Sequence, residues 1–334
     1  MKKTAKAKPS NTLAEFCRAL KKHDRFLLSC HVTPEGDAIG SILAMDSMLR
    51  RMGKKTAVVA EDTFPERLFC LPSKRWIPVN EFKKDPRDFQ ALIVADCPNL
   101  ERTGKVKKLV HENMVVFNID HHISNECFGD YNYVLPKAAA SGEVVYEIFK
   151  HMRMPLTKEE AAFIYIALST DTGSFKYENT TVNSHLMAAE FIKKGINIEQ
   201  INEDLYATYS LNKIQLYSRL LGRVKTEAGG KIAWVLMKRD DLEHSGATYE
   251  DTEGFIDFLK YLREVKIAFF ASEIAEPGKV RVSFRSKDNY DANGIATHFN
   301  GGGHKKASGC IIHGTGEEAV EKILHRLRRE FHIS

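Results

Sequence analysis

At 334 residues the chain suggests about two domains, and 43% apolar with 28% charged content describes an ordinary soluble globular protein. No stretch approaches the ~18 apolar residues of a membrane span, and the basic start, Met1 to Ser10, has no following apolar core and so is not a secretory signal. A net charge of +5 suits acidic ligands without identifying one.

The start reads as a solvated tail, with a nucleic-acid arm as the alternative. Thr12 to Lys22 then reads as a helix with Thr12 as its N-cap. Arg25 to Cys30 is the first strand, and it runs into His31, Pro34-Glu35-Gly36 and Asp37. Asp37 opens a helix to Arg51, stopped by Gly53. Gly40 and Ser41 are expected to let that helix lie close against a sheet. Thr56 to Ala60 is a strand. From Thr63 to Asp88, prolines at 65, 72, 78 and 86 make the chain irregular with short helical pieces. Ala91 to Ala95 is a buried strand that runs into Asp96. Lys105 to His111 reads as helical, and Met114 to Ile119 as a strand that ends in Asp120-His121-His122. Tyr131 to Leu135 adds an edge strand.

Ala139 to His151 and Thr157 to Thr170 read as helices, the second opened by a Thr157-Lys158-Glu159-Glu160 capping box and ending at Asp171. Val182 to Lys194 is a helix stopped at Gly195, and Leu211 to Arg223 a helical connector. Beyond it the pattern changes. Val224 to Glu227 and Lys231 to Met237 flank Gly229-Gly230, a hairpin signal; Ile267 to Ile274 and Lys279 to Phe284 flank Pro277-Gly278, a second. Helices at Thr252 to Glu264, Ala292 to Phe299 and Glu317 to Phe331 complete the unit. The expected class is α/β: a parallel-sheet N-terminal domain over 12–195, a helical linker over 196–223, and a smaller α+β C-terminal domain over 224–334.

The six cysteines, at 17, 30, 70, 97, 127 and 310, include no C-x-x-C pair. They read as reduced, mostly buried cytosolic thiols. Cys30 and Cys97 border polar clusters, but packing is the better reading for both, because soft thiolates compete badly in a carboxylate-rich site.

Three apolar strands and one apolar helix end each deliver a carboxylate, an imidazole or both. Taken singly, a strand-ending Asp is a cap or turn residue and His31 a core histidine; four such ends in one chain point to a site. Open parallel sheets bind ligands beyond the carboxyl ends of their strands. Acids and histidines meeting there repel and desolvate one another unless cations intervene. Mixed oxygen and imidazole donors suit manganese, magnesium or iron. The donors outnumber one octahedral shell, so two metals are expected, which can activate a bridging water and clamp an in-line displacement. Asp37 gains from its helix dipole. His121 and His122 should diverge, one to metal and one to substrate. Asp120 is read as orienting the loop rather than as a ligand.

At these residues the chain resembles the DHH phosphoesterase superfamily, in order and over about residues 20 to 330. His31-Val-Thr-Pro-Glu-Gly-Asp37, Asp96, Asp120-His121-His122 and Asp171-Thr172-Gly173-Ser174-Phe175 match its four motifs. Gly301-Gly302-Gly303-His304 with Ala307-Ser308-Gly309 resembles the DHH-associated substrate domain. Length and motif order look most like the bacterial nanoRNase and pAp-phosphatase branch, rather than full-length RecJ exonucleases. The resemblance implies a cytoplasmic hydrolase with two divalent ions, manganese first and magnesium as the alternative. One metal would take His31, Glu35 and Asp96; the other Asp37, Asp96, His121 and Asp171, with Asp96 bridging. His122 would touch the scissile phosphate. Arg285, Gly301, Gly302, Gly303 and His304 would bind the rest of the substrate. Glu35 departs from the family, standing where many members have Asp.

The resemblance also implies the substrates: very short RNA cut to mononucleotides, and pAp (3′-phosphoadenosine 5′-phosphate) converted to AMP, in a protein that can form a homodimer. Cleavage of cyclic or linear signalling dinucleotides uses the same metal site and is the enzymatic rival; inorganic pyrophosphatase fits the second domain poorly. The non-enzymatic rival is a nucleotide- or RNA-binding module with a decayed site. Decay usually deletes ligands, and here every motif position is occupied.

Overall fold

The computed structural model describes residues 10–65, 68, 71, 73–207 and 209–331. The basic start up to residue 9, Cys70 and Pro72 lie outside the described residues. Two compact units divide the chain, the first ending at Thr208 and the second beginning at Tyr209.

The first unit opens with α1 (Leu13–Lys21), whose cap Thr12 exchanges hydrogen bonds with Glu15 in a capping box. Then follow β1 (Arg25–Ser29), α2 (Gly36–Arg51), β2 (Lys55–Ala60), β3 (Trp76–Pro78), β4 (Ala91–Ala95), β5 (Val115–Asp120), β6 (Tyr131–Val134), α3 (Ser141–His151), α4 (Lys158–Asp171), α5 (Val182–Lys193) and α6 (Ile198–Tyr206). The six strands form one parallel sheet in the order β3-β2-β1-β4-β5-β6. Side chains alternate across it. Phe26, Leu28, Ile93 and Phe117 join the large core under the α-helices, while Leu27, Val59, Leu92 and Val94 pack with Val106 and Met114 on the other face. That second cover contains the 3₁₀ segment 100–109, which begins earlier than the helical stretch expected from Lys105 and is kinked at Gly104, φ 64°.

Gly40 corrects one expectation. It faces a helix, not the sheet: a β-carbon there would sit 2.4 Å from the Phe163 carbonyl oxygen of α4. Gly36 and Gly142 likewise abut Thr170 and Ala167 of α4, so three glycines draw α2 and α3 onto it. This close packing brings the starts of α2 and α3 beside the end of α4.

The second unit comprises α7 (Leu211–Leu221), β7 (Lys225–Glu227), β8 (Ile232–Met237), α8 (Arg239–Ser245), α9 (Phe255–Tyr261), β9 (Ile267–Glu273), β10 (Lys279–Ser286), α10 (Ala292–His298), β11 (Gly302–His304), β12 (Ala307–His313) and α11 (Gly316–Glu330). Its sheet runs β11-β12-β10-β9-β8-β7 and is mixed, with β8 and β9 parallel and the other pairs antiparallel. Both expected hairpins form. One face packs Phe269, Phe284 and Ile312 against Ile295, Ile323 and Leu327 from α10 and α11; the other packs Ala233, Val235 and Phe270 against Leu216, Leu220 and Phe255 from α7 and α9. Among the described residues no helix is long and apolar enough to cross a membrane.

Candidate metal centre

β1, β4 and β5 are neighbours in the sheet. Each is mainly apolar and leads into polar chemistry at its carboxyl end: Cys30-His31, Asp96, and Asp120-His121-His122. Glu35 and Asp37 follow at the head of α2, and Asp171 is the last residue of α4. The structure gathers these side chains into overlapping groups whose donor atoms lie within 4.8 Å of one another: His31, Glu35 and Asp96; Asp37, His121 and Asp171; and Asp96, His121 and His122. Asp96 belongs to two of them. The third group adds an option the sequence reading had kept for substrate, because His122 also lies within reach of Asp96.

The imidazoles are oriented by their other nitrogen. A carbonyl can only accept, so His31 Nδ1–H donates to Val32 (2.7 Å) and His121 Nδ1–H to Ala138 (3.1 Å). Each Nε2 is thereby turned toward the acids. His31 Nε2 is 3.3 Å from Asp96, and His121 Nε2 is 3.6–3.7 Å from Asp37, Asp96 and Asp171. These separations leave room for a cation among donors of the right kind.

His122 is held differently. Its Nδ1 lies 2.7 Å from Asp120 Oδ1, which also accepts the His121 backbone N–H at 2.8 Å. Asn125 donates to the other Asp120 oxygen and to Asn118. Asp120 is completely buried and engaged on both oxygens. The Asp120 hydrogen bond holds the His122 imidazole above its usual pKa against the opposing effect of burial.

Buried acids face each other across the rest of the site. Asp37 is 1% and Asp96 2% exposed. Burial, then the charges of Asp96 and Asp171, push Asp37 well above the usual carboxylate range. Burial and the Asp96 and Glu35 charges raise Asp171 to about 6, although His121 pulls the other way. Asp96 is lowered: burial works against it, but the hydrogen bond and charge of His31 prevail. Protein groups alone leave this repulsion unrelieved, and the donor set therefore fits divalent cations. By contrast, Cys30 and Cys97 are buried thiols held high by desolvation, Cys97 at about 12, which disfavours the thiolate that binds metal.

The backbone is bent to the same end. Asp96 has φ 54°, Thr33 φ 52°, Ser174 φ 58° and Phe175 φ 62°, all left-handed and all within three of the four motif segments. Such conformations cost of order 1–3 kcal/mol each and persist where surroundings enforce them. Thr33 N–H is anchored on Asp62, and Val32 N–H on the Arg102 carbonyl.

Sequence reasoning missed the groups that hold the acids. Ser141 N–H and Gly142 N–H, at the start of α3, donate to the two oxygens of Asp37 at 2.7 and 2.9 Å. Ser141 Oγ–H donates to Asp96 at 3.0 Å. Asn179 donates to Asp171. Asn118, an amide within an apolar strand, was the one visible signal; a serine opening a helix offers none.

In the second unit Arg285 is half-buried on β10 and 3.4 Å from Asp257. The glycines lie on and beside an edge strand rather than in a turn. β-Carbons at Gly301 and Gly303 would strike Gly309 and Ala307 carbonyl oxygens, so both are glycine for strand pairing. Gly302 and His304 are exposed. His298 and His313 are also exposed.

The DHH family, N-terminal domain, matches residues 25–168, and the DHHA1 domain matches residues 229–332. A bifunctional oligoribonuclease and PAP phosphatase NrnA of Thermus thermophilus is 30% identical, over 91% of this chain and 89% of its own. Its Bacillus subtilis counterpart of the same name is 29% identical over 93% and 96%. The crystal structure of an exopolyphosphatase-related protein from Bacteroides fragilis superposes with a TM-score of 0.87 at 27% identity, covering 96% of this chain and 97% of that one.

Proposed function

This chain belongs to the DHH family of metal-dependent phosphoesterases, and on that footing we propose that it degrades very short RNA to mononucleotides and removes the 3′-phosphate of pAp. One observation carries the chemistry: four chain segments converge their acids and imidazoles on Asp96, in a set that opposes its own charge until cations enter. The names of the Thermus and Bacillus relatives support the substrates.

His31, Glu35 and Asp96 would hold one cation, and Asp37, Asp96, His121 and Asp171 the other. Manganese is the expected ion and magnesium the alternative, given mixed oxygen and imidazole donors. When bound, such a pair supplies Lewis-acid stabilisation of a phosphoryl group and its entering and leaving oxygens. The chain's own residues do the rest. Asp120 fixes His122 in one tautomer and favours its protonated form, so its Nε2–H can donate to the phosphate or to the departing oxygen. Arg285, Gly301, Gly302, Gly303 and His304 would bind the remote nucleotide, the arginine by a planar fork. We place the enzyme in the cytoplasm, in keeping with the free cysteines at 17, 30, 97, 127 and 310. Self-association into a homodimer belongs to the same reading and is checked by the mass in solution.

The test is product analysis with manganese, then with chelator, on a 5′-phosphorylated RNA dinucleotide, pAp and a cyclic dinucleotide. Mononucleotides from the linear dimer and AMP from pAp, both abolished by chelator and by His121→Ala, are expected. Turnover of the cyclic compound alone would move the protein to nucleotide signalling. Short-RNA binding with no turnover of any compound would make it a binding module.

A further inference from the structure

β2 leads into acids as β4 and β5 do. Its apolar run Ala57-Val58-Val59-Ala60 is followed by Glu61 and Asp62, and β2 lies beside β1 in the sheet. Among the described residues neither acid joins a group that could hold a metal. Both instead grip backbone N–H groups of neighbouring segments. Glu61 accepts the Lys105 N–H at 2.5 Å and pairs with the Lys105 ammonium at 3.1 Å, on the 3₁₀ segment after β4. Asp62 Oδ2 accepts the Thr33 N–H at 2.5 Å, in the loop between β1 and α2. Asp62 is itself braced. Trp76 of β3, buried and packed edge-on against Phe64, donates its indole N–H to the Asp62 carbonyl at 2.9 Å.

The peptide that Asp62 holds has a second end. Thr33 N–H and the Val32 carbonyl belong to one planar trans unit, so they point in opposite directions and turn together. That carbonyl is the one to which His31 Nδ1–H donates, at 2.7 Å. The carboxylate on one side therefore decides whether His31 finds its acceptor on the other. The peptide before it is fixed separately, by Val32 N–H on the Arg102 carbonyl at 2.8 Å. The Thr33 hydroxyl donates to the Val32 carbonyl as well, and so gives no hold on the N–H end. Left alone, the unit would not rest as it does. Thr33 is β-branched and left-handed, φ 52°, a genuine outlier for such a residue. Reversing the peptide would return Thr33 to an ordinary negative φ and swing the Val32 carbonyl away from His31.

We propose that Asp62 is a positioning residue for His31: its carboxylate locks the Val32–Thr33 peptide in the strained orientation that aims the His31 imidazole at Asp96. The inference rests on the metal-centre reading above and deepens it with a residue that lies outside every donor cluster. The link is electrostatic as well as geometric. An anion on the N–H polarises the peptide and makes its carbonyl a better acceptor, so the chain of bonds from Asp62 through the peptide to the imidazole strengthens itself. Carboxylates that steer a metal-binding histidine commonly touch it directly. Here a peptide unit stands between them.

The experiment is calorimetric titration of the full-length protein with manganese, for the unaltered chain, Asp62→Ala, Asp62→Asn, and Asp62→Ala combined with His31→Ala or with Thr33→Gly. Asp62→Ala should weaken binding at one of the two sites about 10- to 100-fold and leave the other unchanged. Asp62→Asn keeps an oxygen that can accept the N–H. It should show the same pattern at smaller amplitude, and it carries the test should the alanine variant not fold. In a His31→Ala background Asp62→Ala should add nothing, because it acts through that imidazole. Thr33→Gly should restore part of the loss, since glycine adopts the left-handed conformation readily and the drive to reverse the peptide falls. A crystal structure of Asp62→Ala should show the Val32–Thr33 peptide reversed. Equal weakening at both sites, an undiminished effect in the His31→Ala background, or a peptide that stays in place would overturn the lock. An unaltered protein that takes up no manganese would overturn the metal centre itself. That result is distinct from a protein that binds manganese equally well whatever stands at position 62, which sinks this inference alone.

Discussion

Ser141 serves two acids at once, its backbone on Asp37 and its hydroxyl on Asp96. Removing the hydroxyl leaves the α3 start intact and frees Asp96 to rotate. Ser141→Ala should therefore weaken manganese binding about 10- to 100-fold, by calorimetric titration, with an unchanged circular dichroism spectrum. Unchanged affinity would make the hydrogen bond incidental. Asp120 acts one step further out. Asp120→Asn keeps the shape but loses the charge that orients His122, so kcat should fall about 100-fold while metal stoichiometry holds; lost metal would instead make Asp120 part of the ligand set. Asp241, far along the chain, shows the same physics used for stability. It is 2% exposed, and burial alone would raise its pKa. The hydrogen bond and charge of Arg223, the Lys238 N–H and the Arg219 side chain outweigh that and hold it low. Its folded pKa thus lies below the unfolded value of about 3.9, so its contribution is present above that pH and fades as acid protonates it. Asp241→Asn should cost about 2 kcal/mol at pH 7 in urea unfolding. The gap to the unaltered protein should close below about pH 3; a gap independent of pH would refute the ion pair as its source.

At the scale of elements, the contact between α2 and α4 depends on what is missing from Gly40. Gly40→Ala would drive a methyl into the Phe163 carbonyl, 2.4 Å away. A loss of about 1–3 kcal/mol is expected, read as a lower melting temperature; an unchanged or raised temperature would mean α2 can slide freely. That glycine was visible in the sequence, but its partner was not, since α4 lies more than a hundred residues on. β1, β4 and β5 were legible because their apolar runs end in punctuation, Asp96 and Asp120 at the ends of the β4 and β5 runs and the loop from His31 to Gly36 after β1; β3 was not, lying in the proline-rich stretch read as irregular. The capping box at Thr157 formed as its spacing implied, and Thr12, read as an N-cap, also forms a box with Glu15. The segment after Asn99 was legible as helical only from Lys105; its earlier start and its 3₁₀ form, kinked at Gly104, were not. Gly302–His304 also hid its form. A glycine run reads as a turn, yet here it is what lets β11 approach the β12 backbone closely enough to pair. The motif side chains announced themselves by clustering with acids, whereas Ser141, Asn125 and Asn179 are common residues whose meaning lies in distant partners.

For the whole molecule, cations and chain are linked by mass action. A metal binding only the folded first unit at a hundred times its dissociation constant adds about 2.7 kcal/mol. Chelation should therefore lower the melting temperature of the first unit and leave the second unit's transition in place, by calorimetry with and without manganese. A fall shared by both transitions would instead tie the second unit's stability to the metal. The order of the sheet carries this further. His31, Asp96 and the histidine pair come from three adjacent strands, and a slip of one residue in any pairing would move its ligand by about 3.3 Å and turn it to the other face. The donors do not exist as a set until β1, β4 and β5 are zipped in register. Metal capture is then a late event, a stopwatch for the finished sheet rather than the seed of it, unlike small domains that collapse around zinc. A cell short of the metal would still be able to build this protein and hold it in store, folded and silent, until the ion returned.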